Sequence, residues 1–435
     1  MSNIEIGVAG IAIALALIAL RVPIGIALGL VSIIGIGEMT SMRVAWGMIS
    51  ATPFDFAGTW ELTAAPMFLF MGYLCTTTNM TQGLFQAMRL YLARLPGGLA
   101  VSSVMASAFF AAASGSSVAT SAAMSRIAVP EMLKHNYDKG LATGTVAASG
   151  TLGSLIPPSV LLVLYGVYAQ VSVGQLFMAG FLPGVLSALL YIAMIMVRTK
   201  LNPSLAGDAN VRSSWSEKWE AFKNIWPLPL LIALVLGGIF TGIFSPTEAG
   251  AVGTTIAAVI ALARRTLTVA AVREAVTQTA VSTASIFIIL IGSLFFTRFL
   301  AMSGVPSAFS ELILGVSTET WWIILAVALI YLILGMFIDS IGLLLLTLPL
   351  ILPLVEGADL NLVWFGIIVV KLLEVGLVTP PIGLNVYVIK GSLGNSVSLS
   401  EVFKGVSWFI VMDIVALLLI VLIPALSLYL PQKMF

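Results

Sequence analysis

Long apolar runs, separated only by short polar segments, constrain this chain more than any other feature of its sequence. The first run extends from Ile4 to Leu20, and a second follows at once after Arg21. About 20 apolar residues form a helix that crosses a bilayer, and the chain has room for roughly a dozen such helices. Because 60% of the 435 residues are hydrophobic and only 9% are charged, a water-soluble fold could not cover its apolar surface. The sequence therefore predicts an all-α polytopic membrane protein surrounded by lipid.

Charge and composition exclude several functions. Lys and Arg number 20 and Asp and Glu 19, so the net charge of +1 provides no basic field for nucleic acid. The chain has one cysteine and one histidine, which rules out a Cys/His metal cluster and an internal disulfide. It contains no P-loop, no HExxH motif and no GxSxG motif with a plausible triad. We expect a protein that is not an enzyme and does not bind nucleic acid.

The sequence repeats itself with an offset of 223 residues. The matched positions are Pro23 and Pro246, Ser117 and Ser340, Pro130 and Pro353, Gly153 and Gly376, and the double prolines Pro157-Pro158 and Pro380-Pro381. Several matches at one offset, including a rare Pro-Pro pair, indicate an internal repeat. We predict a first half at 1–200, a connector at 201–224 and a second half at 225–435. Four aromatic residues at helical spacing predict that the connector is a cytoplasmic amphipathic helix in the membrane interface.

Each half is predicted to contain two spans, an amphipathic arm, a re-entrant hairpin and a broken helix. The hairpins are expected at 99–130 and 321–353, and the broken helices at 138–170 and 361–390. A cytoplasmic connector places sixteen Lys and Arg residues in the cytoplasm and three outside, with Lys371 inside a span. This positive-inside bias predicts periplasmic termini and hairpins that enter from opposite faces. The repeat is therefore predicted to be inverted.

The double prolines interrupt one helix in each half. Proline cannot donate to the carbonyl group four residues earlier, so Gly153 and Ser154 in the first half lose their partners. Gly376 and Leu377 lose theirs in the second half. Unpaired carbonyl groups at membrane depth are tolerated where they line a cavity, and two equivalent breaks indicate a substrate and ion site near the midplane.

The hairpin tips supply oxygen atoms that we expect opposite these breaks. The first tip, Ser114 to Met124, is rich in hydroxyl groups, and the second contains Asp339. Oxygen is the preferred ligand of hard cations. We predict one cation site at Ser114, Ser116, Ser117 and Gly153, and another at Asp339, Ser340, Gly342, Gly376 and Thr379. An organic anion is predicted to bridge the tips at half-helix N-termini and at Ser116, Ser159, Ser340, Thr379 and Asn385.

Structural roles compete with these interpretations. Small residues also permit close helix packing, whereas a carboxylate such as Asp339 is costly in hydrocarbon and favours a function. Glu248 follows Pro246 near a helix start, so capping and function are both open. Lys371 and Glu374 lie one helical turn apart and are expected to pair.

Six stretches resemble the large membrane subunit of a TRAP (tripartite ATP-independent periplasmic) transporter. They are APMFLFMGYL at 65–74, SGSSVATSAAM at 114–124, LGSLIPPSV at 152–160, GIFSPTEAGAVG at 242–253, FIDSIGLLLLTLPLILP at 337–353 and GLVTPPIGLNVYV at 376–388. The resemblance implies a sodium-coupled importer of small organic acids in a bacterial inner membrane, in which a transport part moves like an elevator against a scaffold. It also implies two partners, a small four-helix membrane subunit and a periplasmic substrate-binding protein.

Two alternatives remain open at this point. A stand-alone sodium/carboxylate symporter of related inverted-repeat architecture would share the same site, and would not have neighbouring genes for a binding protein and a four-span subunit. A channel or assembly scaffold without coupled transport would show no sodium-dependent uptake. Substitution of Asp339 or Ser117 would then alter packing or have no effect.

Overall fold

A computed structural model describes residues 1–207 and 214–434 of the chain. This part of the chain is helical and contains no strand, which confirms the predicted all-α class. Its α-helices are α1 (Asn3–Ala19), α2 (Ile24–Met39), α3 (Met42–Ala57), α4 (Ala64–Thr77), α5 (Leu84–Leu92), α6 (Gly98–Ser114), α7 (Ser117–Lys134), α8 (Lys139–Thr151), α9 (Val160–Tyr168), α10 (Val173–Leu201), α11 (Trp215–Ile225), α12 (Pro227–Phe240), α13 (Pro246–Ala263), α14 (Val269–Ser303), α15 (Val305–Leu314), α16 (Thr320–Gly335), α17 (Ser340–Gly357), α18 (Leu362–Val378), α19 (Leu384–Leu393), α20 (Leu399–Leu422) and α21 (Ala425–Met434). Short 3₁₀ turns occupy Trp60–Thr63, Leu152–Ser154, Pro203–Leu205 and Gly394–Ser396.

Few of these helices are long and apolar enough to cross a bilayer as one unbroken element. Among the described residues five qualify, namely α10, α13, α14, α17 and α20, and the bent pair α11–α12 makes a sixth. The apolar runs leave room for roughly a dozen spans, but turns and breaks divide several of them into helices of 10–17 residues. Two of these shorter helices, α6 and α16, form the first arms of the two hairpins.

The helices of the two halves follow one another in the same order. Helices α6 and α7 form one hairpin and α16 and α17 the other, and α7 and α17 begin at the matched residues Ser117 and Ser340. The interrupted helices are α8–α9 and α18–α19, and each interruption contains a cis Pro-Pro bond. The opposite orientation of the halves and the division at 201–224 stay predictions. Part of that connector, 208–213, lies outside the described residues.

Serine residues begin several helices with capping boxes. In α13 the backbone N–H of Ser245 donates to Glu248 Oε2 at 2.7 Å, and the N–H of Glu248 donates back to Ser245 Oγ at 3.3 Å. Each bond satisfies a backbone donor that the first turn of a helix leaves unpaired. Of the two roles considered for Glu248, the structure therefore assigns the capping role.

Glycines bring helices of different halves into backbone contact. A Cβ added to Gly405 of α20 would lie 1.8 Å from the carbonyl oxygen of Gly140 on α8. A Cβ on Gly292 of α14 would lie 2.1 Å from the carbonyl oxygen of Gly25 on α2. Only glycine fits at such distances, so α8–α20 and α2–α14 form two close joints, each of which combines one helix from each half.

Candidate substrate and cation site

A cavity of about 360 Å³ lies where the two hairpin tips meet. We call it the tip cavity. The first tip lines it with Gly115, Ser116, Ser117 and Val118, the second with Asp339, Ser340 and Ile341, and the first break with Ser154. Leu377 and Leu384 flank the second break, and α4 and α14 close the remaining side. The two tips thus share one cavity with a broken helix. That this cavity is the predicted substrate and ion site stays a prediction.

The first tip brings several hydroxyl groups together because its chain turns within two residues. Gly115 adopts a left-handed conformation with φ +61°, which ends α6, and Ser116 is extended and caps α7. Ser114 Oγ lies 3.1 Å from Thr120 Oγ1, which donates to the carbonyl oxygen of Ser116 at 2.8 Å. The tip is therefore held by its own hydroxyl groups and keeps their oxygen atoms close together.

A serine pair joins the first tip to the first break. Ser117 Oγ and Ser154 Oγ are 2.6 Å apart, and both side chains are buried. Ser159 Oγ donates to the carbonyl oxygen of Ser154 at 2.5 Å. One of the two carbonyl groups that the prolines release is therefore already bonded. The other belongs to Gly153 and accepts no hydrogen bond from the residues that the structure describes.

Asp339 both caps α17 and lines the tip cavity. Its Oδ2 accepts the backbone N–H groups of Ile341 at 3.1 Å and Gly342 at 3.0 Å, which leaves Oδ1 outside the cap. The neighbouring hydroxyl oxygen of Ser340 is buried and has no partner in the described chain. A carboxylate oxygen and an unsatisfied hydroxyl group therefore lie side by side at the second tip.

The second break retains one free carbonyl group. The backbone N–H of Thr379 donates to the carbonyl oxygen of Gly376 at 3.3 Å, and the Thr379 hydroxyl donates to the carbonyl oxygen of Val375 at 2.6 Å. The carbonyl group of Leu377 has no bond within 1–207 and 214–434, and this residue lines the cavity. Each break therefore frees one carbonyl group, rather than the two expected from proline alone, because a nearby side chain or backbone N–H bonds the other.

The structure separates the candidate site residues into two groups. Those that line the tip cavity are Ser116, Ser117, Asp339 and Ser340. Those outside the lining are Ser114, Gly153, Ser159, Gly342, Gly376, Thr379 and Asn385. Asn385, for example, is fully buried and donates from Nδ2 to the carbonyl oxygen of Ala147 on α8 at 3.4 Å, so α19 of the second half packs against the first half.

Sequence reasoning missed the polar residues that α4 and α14 contribute. Tyr73 Oη lies 2.7 Å from Ser282 Oγ, and both residues line the tip cavity together with Ser285. The available signal was the cluster of hydroxyl residues at 282–285, just before the apolar run 286–292. Such residues bond to their own helix as easily as to a ligand, so the pattern alone does not identify them.

A cluster of buried charges lies outside the tip cavity. Lys371 Nζ is 3.1 Å from Glu374 Oε2 and 2.7 Å from Asp413 Oδ1, and all three side chains are fully buried. Tyr191 of α10 donates to Asp413. The expected pairing of Lys371 with Glu374 is confirmed, and Asp413 is a further partner that sequence spacing did not indicate.

Interrupted helices and hairpin tips that bring hydroxyl groups and one carboxylate to a cavity inside an apolar helical bundle define a membrane transport protein. The YdaH transporter of Alcanivorax borkumensis has a similar fold, with a TM-score of 0.60, 16% identity and 90% of each chain covered.

The chain belongs to the family described as tripartite ATP-independent periplasmic transporter, DctM component, whose sequence profile matches residues 11–426. It is 32% identical to the C4-dicarboxylate TRAP transporter large permease protein DctM of Pseudomonas aeruginosa, over 87% of this chain and 88% of that protein. It is 31% identical to the sialic acid TRAP transporter large permease protein SiaM of Vibrio cholerae, over 85% of this chain and 86% of that protein.

These relationships confirm the resemblance to a TRAP large membrane subunit. The homologues indicate a secondary transporter of organic acids, which is a transport function rather than an enzymatic one. Family membership implies association with a small membrane subunit and a periplasmic binding protein. It is consistent with a multi-pass protein of the inner membrane.

Proposed function

We propose that this chain imports a small organic acid together with Na⁺ across the bacterial inner membrane. The acid is received from a periplasmic binding protein, and the hairpin tips carry it across by an elevator motion. One observation carries the proposal: residues of both hairpin tips and of a broken helix line a single cavity of about 360 Å³. Ligand sites commonly measure roughly 300–1,000 Å³, so this cavity suits a small acid.

Sodium coupling is supported by the oxygen atoms at both tips. The first tip offers the hydroxyl groups of Ser114 and Ser117 and the nearby free carbonyl group of Gly153. The second offers Asp339 Oδ1, the unpartnered hydroxyl of Ser340 and the free carbonyl group of Leu377. Uncharged oxygen atoms with one carboxylate are suitable ligands for a hard monovalent cation. We propose two or more Na⁺ ions, with at least one at each tip.

Binding of an organic anion is supported by the two helices that begin at the tips. Helices α7 and α17 start at Ser117 and Ser340, so the positive ends of both helix dipoles lie beside the cavity. Ser116 and Ser340 add hydroxyl donors. We propose that Ser159, Thr379 and Asn385 support the anion site without lining it. Ser159 and Thr379 bond to backbone carbonyl groups beside the breaks, and Asn385 bonds to the carbonyl group of Ala147 on α8.

An elevator motion is supported by the helices that cover the tip cavity and by the arm α5 that links the first hairpin to the connector. Two helices, α4 and α14, cover it from one side and bond to each other through Tyr73 and Ser282. The amphipathic arm α5 forms an ion pair from Arg89 to Glu131 of the first hairpin, and Tyr91 Oη donates to the carbonyl oxygen of Lys218 on α11 at 2.8 Å. We propose α1, α2, α4, α13 and α14 as scaffold, and the hairpins, broken helices, α10 and α20 as the transport part.

Uptake by proteoliposomes tests the proposed function. The vesicles contain this chain and its small subunit, with the binding protein and labelled dicarboxylates, keto acids or sialic acid outside. We expect uptake that requires both an inward Na⁺ gradient and the binding protein. Uptake without the binding protein would favour a stand-alone symporter, and flux that is indifferent to replacement of Na⁺ by K⁺ would refute sodium coupling.

A further inference from the structure

A second cavity adjoins the tip cavity. This second cavity, about 510 Å³ in volume, is lined by residues that include Arg21, Pro23 and Phe337, and we call it the Arg21 cavity. Ser285, Ile289 and Asp339 line both cavities. The two cavities therefore adjoin each other along these three residues.

A third cavity does not reach the tips. It has a volume of about 590 Å³ and lies between Trp60, Gly166 and Ser245. It shares no lining residue with the tip cavity among the described residues. Of these two cavities, the Arg21 cavity is the one that adjoins the hairpin tips in the described part of the chain. The charge distribution predicts that Arg21 is cytoplasmic.

Arg21 is the sole basic residue in the described linings of the tip and Arg21 cavities. Asp339 is the sole acidic one. Arg21 follows α1, is exposed, and forms no ion pair with any acidic group in the described part of the chain. A guanidinium group without a protein partner is available to a solute carboxylate, with which it forms paired hydrogen bonds.

We propose that the tip and Arg21 cavities form one aqueous route, and that Arg21 makes the mouth of this route selective for anions. The proposal rests on the proposed function, because an organic acid is the solute that would use such a mouth. Charge at the edge of a low-dielectric cleft concentrates ions of opposite sign. Arg21 thus supplies the cationic group that the hairpin tips lack, and it does so at the point of exchange with water.

The test measures the accessibility of a cysteine placed where the two cavities join. Ser285→Cys provides this reporter thiol, because Ser285 is exposed and lines both cavities. The native Cys75 is fully buried, so a protein without the reporter gives the background. An anionic and a cationic methanethiosulfonate reagent are applied to the detergent-solubilised complex. Each rate is normalised to that of a free thiol in solution.

We expect the anionic reagent to react faster with the reporter thiol of Ser285→Cys by about tenfold at low salt, with the preference reduced at high salt. Arg21→Gln should abolish the preference, Arg21→Glu should reverse it, and Arg21→Lys should retain it. Thr59→Cys, which lines the cavity on the other side, is the matched reporter. Its ratio of rates should not respond to Arg21→Gln.

Two results would overturn the proposal. If neither reagent reaches the reporter thiol, the route is not open, and if the ratio is the same with and without Arg21, the residue does not select anions. The labelling requires no substrate, sodium gradient or binding protein. Failure of this test is therefore distinguishable from failure of sodium-coupled uptake.

Discussion

The Nζ atom of Lys371 lies 2.7 Å from Asp413 Oδ1, and neither side chain is exposed to solvent. Glu374 Oε2 and Ser187 Oγ are each 3.1 Å from the same nitrogen, and Tyr191 donates to Asp413. Ser187 and Tyr191 come from the first half of the chain and the three charged residues from the second. The cluster therefore joins the two halves electrostatically at a place outside the tip cavity.

Removal of the ammonium group should destabilise the protein strongly. Lys371→Met leaves the carboxylates of Glu374 and Asp413 buried without a cation, which commonly costs about 3–5 kcal/mol. We expect a clear decrease in the thermal unfolding temperature in detergent. The triple variant with Glu374→Gln and Asp413→Asn should recover part of the loss. Lys404→Met, at an exposed lysine, serves as control, and equal stability of Lys371→Met and wild type would contradict the interpretation.

The serine pair should behave as one unit in sodium binding. Ser117→Ala and Ser154→Ala each remove the bond at 2.6 Å between their hydroxyl groups, which is worth about 1 kcal/mol. We expect either change to raise the sodium concentration for half-maximal uptake by about fivefold. The double variant should be far less than additive. Ser407→Ala, at an exposed hydroxyl, should have no effect, and full additivity would show that the two residues act independently.

The two roles of Asp339 can be separated by substitution. Asp339→Asn removes the charge and keeps a side-chain oxygen that caps helices well, whereas Asp339→Ala also removes the cap, at a cost of about 1 kcal/mol. We expect Asp339→Asn to weaken sodium dependence of uptake by about tenfold or more, with little change in unfolding temperature. Asp339→Ala should lower both the sodium dependence of uptake and the unfolding temperature. Asp359→Asn, an exposed acid after the same helix, is the control, and unaltered sodium dependence in Asp339→Asn would remove this carboxylate from the proposed cation site.

Close packing behind the second tip should be intolerant of one added methyl group. A Cβ on Gly376 would lie 2.8 Å from the Cα of Gly335, and backbone cannot move aside as a side chain can. Overpacking of this kind costs about 1–3 kcal/mol. Gly376→Ala should therefore lose most uptake at a normal protein level in the membrane. Gly391→Ala, where no atom lies within 4 Å, should transport normally. Normal uptake by both variants would show that the hairpin adjusts.

The positions of the helix breaks were predictable because proline acts locally. Pro157 and Pro380 each lack an N–H, so the interruption follows from the residue itself, whatever surrounds it. The tips near Ser116 and Asp339 were predicted from another local signal, polar residues within apolar segments, and both residues line one cavity in the structure. The class of fold followed in turn from the length and spacing of the apolar runs.

The chemical detail of the site was less predictable because it depends on packing. Ser159 and Thr379 bond to carbonyl groups around their own breaks rather than lining the cavity. Tyr73 and Ser282 both reach it, although they are 209 residues apart in sequence. Asp413 pairs with a lysine 42 residues earlier. No pattern of neighbouring residues encodes such distant partners.

The two glycine joints determine when during synthesis this protein can assemble. The contact of Gly25 on α2 with Gly292 on α14 cannot form until α14 has been synthesised, and the contact of Gly140 on α8 with Gly405 on α20 cannot form until α20 has been synthesised. A ribosome delivers the chain from its N-terminus, so the early helices enter the bilayer long before their partners exist. They can persist there because a helix satisfies its own backbone in lipid. Neither joint can therefore close until the second half is made, and a nascent chain cut in the connector leaves two fragments that each hold one side of both joints.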